Sequence, residues 1–154
     1  METHDTHHPT STAIAYEDQR EAALDRTYHF LKSRLPKYLG YFEGLLVKES
    51  KTKNENEEVY LLGDFSIADL FLFQTVHGLK FAFPTGMESL IFSSMPNLKS
   101  HFDLVGGREN ISSYLQSERR TEYGDFLFRY YPELDEIANK VVEEQKQSEM
   151  KEDA

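Results

Sequence analysis

Residues 61–70 read Leu-Leu-Gly-Asp-Phe-Ser-Ile-Ala-Asp-Leu, and this stretch predicts the first turn of the helix around which the chain is organised. A Gly-Asp pair at positions 63–64 signals a turn. Ser66 then suits the N-cap position, where its hydroxyl can accept an unpaired backbone N–H. Asp69, three residues later, can accept the backbone N–H of Ser66. The two residues therefore predict a capping box, with Asp in place of the usual Glu.

The residues after this cap predict the core of the fold. Phe65 before the cap and Leu70 at the fourth helical position are spaced for a hydrophobic staple. From Ile67 to Phe83, apolar side chains occur on almost every side of the predicted helix. A helix without a polar face has to be surrounded by other elements. We therefore expect residues 67–83 to form a central helix that is buried all round.

Helical patterns continue on both sides of this segment. Apolar residues recur every three or four positions over about residues 18–47, and Pro36 inside this pattern predicts a long helix with a kink near residues 32–36. Pro96 suits the first position of a later helix that ends at the two glycines 106–107. No stretch has the alternation of a β-strand. The sequence predicts an all-α fold, an orthogonal bundle of about five to seven helices.

Composition limits the classes of function. The 154 residues include 27 acidic and 17 basic side chains, and the net charge of −10 argues against nucleic acid or an anionic membrane as partner. The chain has no cysteine, which excludes a disulfide framework, a thiol nucleophile and a cysteine metal site. No apolar run approaches the ~18 residues of a membrane span, and the N-terminus has no signal-peptide pattern. We expect a soluble, cytoplasmic protein.

Three histidines near the N-terminus form a possible ligand set. His4, His7 and His8 stand at i, i+3 and i+4, so they share one face of any helix that includes them. Three imidazoles with Asp5 beside them could bind zinc or nickel. A polar helix face or the wall of a cleft explains the same residues without a metal, and we favour that interpretation. The sequence therefore predicts no metal site.

Other polar residues also have structural explanations. An acid beside an apolar core can indicate a catalytic carboxylate, but the capping box accounts for Asp69. His77 falls among apolar residues of the central helix and suits the core or its boundary, and the pair 119–120 (Arg-Arg) suits a solvated helix end. No Ser–His–acid pattern, glycine-rich phosphate loop or pair of catalytic carboxylates is found. The sequence therefore assigns no catalytic residue.

The order and spacing of these segments resemble the helical C-terminal domain of the glutathione S-transferases. In that domain the central, sixth helix opens with a Ser/Thr-x-x-Asp box after a turn, as at Ser66 and Asp69. Residues 34–43 (Arg-Leu-Pro-Lys-Tyr-Leu-Gly-Tyr-Phe-Glu) resemble the fifth helix. Residues 95–98 (Met-Pro-Asn-Leu) and 111–120, which begin Ile-Ser-Ser-Tyr-Leu, resemble the last helices of the domain.

Three further motifs are similar to a bacterial and fungal subgroup allied to the sigma class. They are residues 4–9 (His-Asp-Thr-His-His-Pro), 16–19 (Tyr-Glu-Asp-Gln) and 128–135 (Phe-Arg-Tyr-Tyr-Pro-Glu-Leu-Asp). The resemblance covers residues 1–135, with the first turns of the first helix missing. Residues 136–154 are then expected to be a charged, partly disordered C-terminal extension.

The resemblance implies the conjugation of glutathione to small electrophiles, as in detoxification. In the family, a Tyr or Ser that ionises the glutathione thiol belongs to an N-terminal thioredoxin-like domain, and no βαβ pattern occurs here. The implied function is that of the electrophile-binding C-terminal domain, inactive without the thioredoxin-like domain. Glutathione is then a cosubstrate and no resident cofactor is expected. The partners are glutathione and a small electrophile, with a homodimer also allowed.

The resemblance also implies roles for individual residues. His4, His7, His8 and Tyr16 would line the cleft for the electrophile. Asp5, with Glu2 as the alternative, would contact glutathione across a dimer. Two other hypotheses remain open. One is a non-catalytic helical protein-interaction module of the same fold, and the other is a small metal binder based on the histidines.

Overall fold

The computed structural model describes residues 2–54, 57–124 and 126–152, in which helices are joined by turns and loops and no β-strand occurs. The α-helices are α1 (Glu2–His7), α2 (Arg20–His29), α3 (Leu35–Ser50), α4 (Ile67–Ala82), α5 (Pro84–Gly86), α6 (Pro96–Gly107), α7 (Glu109–Leu115), α8 (Pro132–Asp135) and α9 (Ile137–Glu152). The helix pairs α2–α3 and α8–α9 are nearly continuous, so the described residues form seven helical bodies. This confirms the predicted all-α fold and its number of helices.

A π-helical segment, Phe30–Arg34, joins α2 to α3 and takes up the kink that the sequence predicts. Proline has no N–H and its ring crowds the carbonyl four residues earlier, so Pro36 cannot continue a regular helix from Lys32. The backbone instead forms a bond from the N–H of Leu35 to the carbonyl of Phe30, five residues back. Wider turns of this kind are a known cause of helix bending.

The start of α4 has the bonds of a capping box. The N–H of Ser66 and its hydroxyl each donate to Asp69 Oδ2 at 2.8 Å. Gly63, in the preceding turn, has a φ of +87°, a left-handed conformation that glycine adopts without strain. The carboxylate of Asp69 is fully buried and also accepts the N–H of Leu61 at 2.9 Å. The box therefore fixes both the helix start and the chain that leads into it.

The expectation that α4 is buried all round was wrong. Its core face includes Phe73 and Val76, and α6 and residues 84–92 pack against it. The opposite face is open, because Ile67 is 70% exposed and Phe71 is 68% exposed. Residues four apart share a helix face, so these two side chains form one exposed apolar strip. Apolar sequence alone did not reveal that the start of α4 has neighbours on one side only, whereas the chain after α7 covers a further part of its second half.

The two residues of the predicted staple lie beside α7. Phe65 packs against the ring of Tyr60, with ring centroids 5.4 Å apart. The guanidinium of Arg108 lies 3.9 Å from the ring centroid of Phe65. Leu70 is 39% exposed. Phe65 and Leu70 line one surface groove together with Arg108 and Ile111. Phe65 thus anchors the start of α4 to α7, whereas Leu70 is only partly covered.

The segment after residue 135 packs on the core, which differs from the expected extension. Ala138 and Val141 of α9 are fully buried. Asp135 is also buried, and its carboxylate accepts the backbone N–H groups of Thr85 at 3.0 Å and Gly86 at 3.3 Å. Helix α9 continues to Glu152, within the segment that was expected to be partly disordered. Residues 153 and 154 lie outside the described residues.

None of the helices in the described ranges combines the length and the apolar character that crossing a membrane requires. This finding agrees with the run lengths in the sequence.

Candidate functional site

Helix α1 and the residue that follows it bring the three N-terminal histidines together. The ring centroids lie 4.9 Å apart for His4 and His7, 5.0 Å for His7 and His8, and 5.3 Å for His4 and His8. One ring nitrogen of each residue lies within 4.8 Å of the others. His7 is buried, whereas His4 and His8 are half-buried. We call these three residues the histidine cluster.

His7 is the fixed member of the cluster. Its side chain is 1% exposed, and its Nε2 lies 3.4 Å from the carbonyl oxygen of Leu127. Because a carbonyl can only accept, Nε2 carries the proton, and Nδ1 has a lone pair. Nδ1 is buried without a hydrogen-bond partner among the described residues. Burial, with His4, His8 and Arg129 nearby, lowers the pKa of His7 to about 4, so the ring is neutral at pH 7.

His8 is held between two hydrogen-bond donors. Its Nδ1 lies 2.9 Å from Gln19 Nε2, and its Nε2 lies 3.2 Å from Arg129 Nη1. Burial, followed by the charge of Arg129 and the neighbouring His4, lowers the pKa of His8. Two donors facing one ring also disfavour its protonated form. His8 is therefore a neutral ring beside a positive charge.

Gln19 organises the loop that follows the cluster. Its Oε1 accepts the N–H of Thr10 at 3.1 Å, and its Nε2 donates to the carbonyls of Ser11 at 2.9 Å and Ile14 at 2.8 Å. The side chain is buried. Gln19 falls in the motif at residues 16–19, which assigns it no role. A glutamine between two charged residues carries no local signal of burial.

The structure places Tyr16 behind the cluster. Its hydroxyl donates to Glu133 at 3.0 Å, and its ring stacks on Tyr131 with centroids 3.9 Å apart. Burial, together with Glu133, raises the pKa of Tyr16. The ring of Tyr131 lies 5.9 Å from that of His7. Tyr131, which the sequence analysis did not select, therefore stands between Tyr16 and the histidines.

The two acids considered for a glutathione contact are already paired with cations. Asp5 lies 3.8 Å from Arg26 Nη2, and both side chains are 47% exposed. Glu2 accepts a bond from Arg34 Nε at 3.1 Å, and this bond with Arg34 is the largest cause of its lowered pKa. Both acids are accessible at the surface. The pair of Asp5 is long and exposed and contributes little to stability. Glu2 is held more firmly, because its carboxylate accepts from two nitrogens of Arg34 and from the hydroxyl of Tyr38.

A second histidine site lies under the capping box. His101 on α6 is 2% exposed, and its Nε2 donates to Asp69 Oδ1 at 2.9 Å. Burial on its own would raise the pKa of Asp69, but the bonds from Leu61, His101 and Ser66 outweigh it and hold the pKa below its usual value. His101 was not among the residues selected from the sequence. Its spacing of three from Leu98 and four from Val105 on the buried face of α6 was an available signal.

His77 lies at the boundary of the core, as the sequence analysis favoured. Its Nδ1 lies 3.0 Å from the hydroxyl of Tyr123, and it lines a groove of about 510 Å³ with Lys80, Phe81 and Arg120. Burial, with Arg120 and Lys80 nearby, lowers the pKa of His77. The groove joins α4 to the segment after α7. No catalytic arrangement of an acid and a base faces it among the described residues.

Comparison with known proteins identifies the fold. The sequence model of the family described as "Glutathione S-transferase, C-terminal domain" matches residues 4–118, a span that includes the histidine cluster and the capping box. The "Glutathione S-transferase" of Plasmodium falciparum (isolate 3D7) is 32% identical over 95 residues, which is 61% of this chain and 42% of the relative. The protein of the same description from Plasmodium yoelii yoelii is also 32% identical over 95 residues, 61% of this chain and 40% of the relative.

These matches confirm the resemblance found in the sequence. The chain spans about two fifths of the length of the curated relatives that it matches. The family match extends over most of the chain and includes both the cap of α4 and the helices that pack on it. The chain belongs to the glutathione S-transferase C-terminal domain family.

Proposed function

We propose that this domain forms the electrophile-binding wall of a glutathione transferase. The observation that carries the proposal is the histidine cluster on α1, whose buried member His7 lies 5.9 Å from the ring of Tyr131. The cluster presents flat, polarisable rings at a partly exposed surface. His7 and His8 carry no charge at pH 7, because burial lowers the pKa of both. Such a wall suits a small, apolar or aromatic electrophile with a few polar atoms.

The chemistry of conjugation needs a thiolate that this wall does not supply. By family resemblance, glutathione brings the thiol, and a thioredoxin-like domain brings the hydroxyl that ionises it. We propose that residues 1–154 alone do not catalyse conjugation, and that the helical domain acts together with a thioredoxin-like domain. No resident cofactor is needed, since glutathione is a cosubstrate.

The remaining parts of the proposal concern partners and location. Asp5 lies on α1 beside the histidines. We propose that it contacts the glutamyl amine of glutathione across a homodimer, and that this contact replaces its 3.8 Å ion pair with Arg26. The net charge of −10 disfavours nucleic acid and anionic membranes as partners. A role in the detoxification of electrophiles in the cytoplasm is the setting that we propose.

A second function, a non-catalytic docking module of the same fold, is favoured by the exposed strip on α4. Ile67 and Phe71 are 70% and 68% exposed. Exposed apolar side chains that adjoin one another mark interaction surfaces more often than isolated ones do. In this alternative the helical bundle binds a protein partner through α4, and the histidine cluster has no substrate.

The deciding experiment measures conjugation of 1-chloro-2,4-dinitrobenzene by residues 1–154 alone and by a polypeptide in which a thioredoxin-like domain precedes residue 1. We expect activity only in the longer protein. In that protein His4→Ala should raise the KM for the electrophile about tenfold, as expected for the loss of one substrate contact, and leave the KM for glutathione unchanged. His29→Ala, an exposed histidine outside the cluster, is the matched control. A folded but inactive longer protein would favour the docking module.

A further inference from the structure

We propose that His4, His7 and His8 form a binding site for a divalent transition metal, with Zn²⁺ as the first choice. The inference concerns the same three histidines as the proposed function, but it requires neither glutathione nor a thioredoxin-like domain. The sequence favoured a cleft wall without a metal. The structure adds the surroundings of each ring, which the spacing of the histidines does not reveal.

The surroundings of His7 are those of a metal ligand. Its Nε2–H points to the carbonyl of Leu127, and its Nδ1 lone pair is buried without a partner among the described residues. Histidine ligands usually donate their second N–H to a carbonyl or carboxylate, which fixes the orientation of the ring. A buried polar atom without a bond is unfavourable, and a metal at Nδ1 would provide the missing interaction. His7 is therefore the anchor of the proposed site.

His8 can join the site at the cost of one hydrogen bond, because with Nδ1 on a metal its Nε2 carries the proton and no longer accepts from Arg129 Nη1. Its Nδ1 lies 2.9 Å from Gln19 Nε2. The two hydrogens of that amide also have carbonyl acceptors, on Ser11 at 2.9 Å and on Ile14 at 2.8 Å. If the Nδ1 of His8 turned to a metal, the amide of Gln19 would keep two bonds.

The separation of the rings is compatible with a metal after a small movement. The three candidate nitrogens lie within 4.8 Å of one another. Zinc bonds of about 2.0–2.1 Å in a tetrahedral site bring ligand nitrogens to about 3.4 Å apart. His4 and His8 are half-buried and can rotate toward His7, which is held in place. Three histidines and one position open to water form a familiar zinc arrangement.

The donor atoms of the cluster and the charge beside it act in opposite directions on metal binding. Arg129 lies 3.2 Å from His8 Nε2 and repels any cation bound there. Imidazole ligands select Zn²⁺, Ni²⁺ or Cu²⁺, whereas Mg²⁺ and Ca²⁺ prefer oxygen ligands. The identity of the donors therefore decides the class of metal, and Arg129 limits the affinity.

The test is calorimetric titration of the chain, purified without a polyhistidine tag, with zinc sulfate, and visible spectroscopy with Co²⁺ in place of zinc. We expect one ion per chain and a tetrahedral Co²⁺ spectrum. His4→Ala and His8→Ala should each weaken binding by about tenfold or more, and His29→Ala should not change it. His4 and His8 are the deciding positions because they are half-buried, whereas replacing the buried His7 also affects folding.

A further variant uses the repulsion from Arg129. Arg129→Gln removes the positive charge beside His8, so zinc should bind several-fold more tightly. The size of this gain in affinity should depend on the salt concentration. The proposal is overturned if the folded chain binds no zinc at a 1:1 ratio, or if the His4→Ala, His8→Ala double variant binds it as well as the parent does. Neither outcome depends on glutathione conjugation, so the result stands apart from that of the activity test.

Discussion

At the residue scale, Asp69 shows how one side chain links local and distant structure. It bonds to Ser66, three residues away, as the capping box requires. It also accepts bonds from Leu61 in the preceding loop and from His101 on α6. Asp69 is fully buried. Burying a carboxylate destabilises the fold unless its oxygens accept hydrogen bonds, as they do here. Asp69 therefore connects the start of α4 to α6 as well as capping the helix.

Replacing Asp69 should cost more than replacing the cap alone. Asp69→Ala leaves the N–H of Leu61 and the ring of His101 without their partner, so we expect a loss of about 3 kcal/mol in the free energy of unfolding. Ser66→Ala removes only the cap hydroxyl and should cost about 1 kcal/mol. Urea denaturation monitored by circular dichroism measures both. Equal losses for the two variants would show that the bonds to Leu61 and His101 contribute nothing.

At the element scale, the packing of the chain after α7 depends on one glycine of α4. A Cβ at Gly78 would overlap the ring of Phe128, which is partly buried on the core. Gly44 in α3 has open space instead, with no atom within 4 Å of a Cβ built there. Neither glycine has a positive φ. The two positions therefore differ in the space around them and not in backbone conformation.

This difference predicts opposite effects for the same substitution. Gly44→Ala should stabilise the protein by about 0.5–1 kcal/mol, because alanine has the higher helix propensity. Gly78→Ala should destabilise it by about 1–3 kcal/mol, because the ring of Phe128 is displaced. Thermal denaturation of both variants measures the contrast. In a Phe128→Ala background the substitution at Gly78 should become favourable, and a persistent loss there would mean that another contact is responsible.

At the scale of the whole molecule, the N-terminal and C-terminal segments complete one core. Leu134, Ala138 and Val141 are among the fully buried residues. Asp135 bonds the backbone of residues 85–86, and Glu144 pairs with Lys32 at 2.7 Å. The exposed pair contributes little, so the buried apolar residues supply most of the stabilisation. α9 is thus a part of the helical domain.

Two truncations of the chain should distinguish how much each part of α9 contributes to stability. Ending it after residue 145 removes only the exposed last turns and should change the melting temperature by no more than a few degrees. Ending it after residue 136 removes Ala138 and Val141 from the core, and we expect a loss of about 2 kcal/mol or more. Differential scanning calorimetry compares the two. Similar melting temperatures would show that α9 does not support the core.

Much of the fold could be predicted from the sequence because its signals are local. The cap at Ser66 and the kink before Pro36 depend on bonds and clashes between residues within five positions of one another. The family resemblance rests on the order of such local signals. The sequence also placed His4, His7 and His8 on one face, because helical spacing requires it.

The tertiary structure alone decided which groups are buried and what they contact. Which face of α4 is open depends on the position of α6 and of residues 84–92. The unpartnered Nδ1 of His7 depends on the chain near Leu127, 120 residues away in sequence. Burial and pairing depend on groups that meet only when the chain has folded. For that reason the sequence could list the candidate ligands, whereas the environment that makes them a proposed metal site is a property of the folded protein.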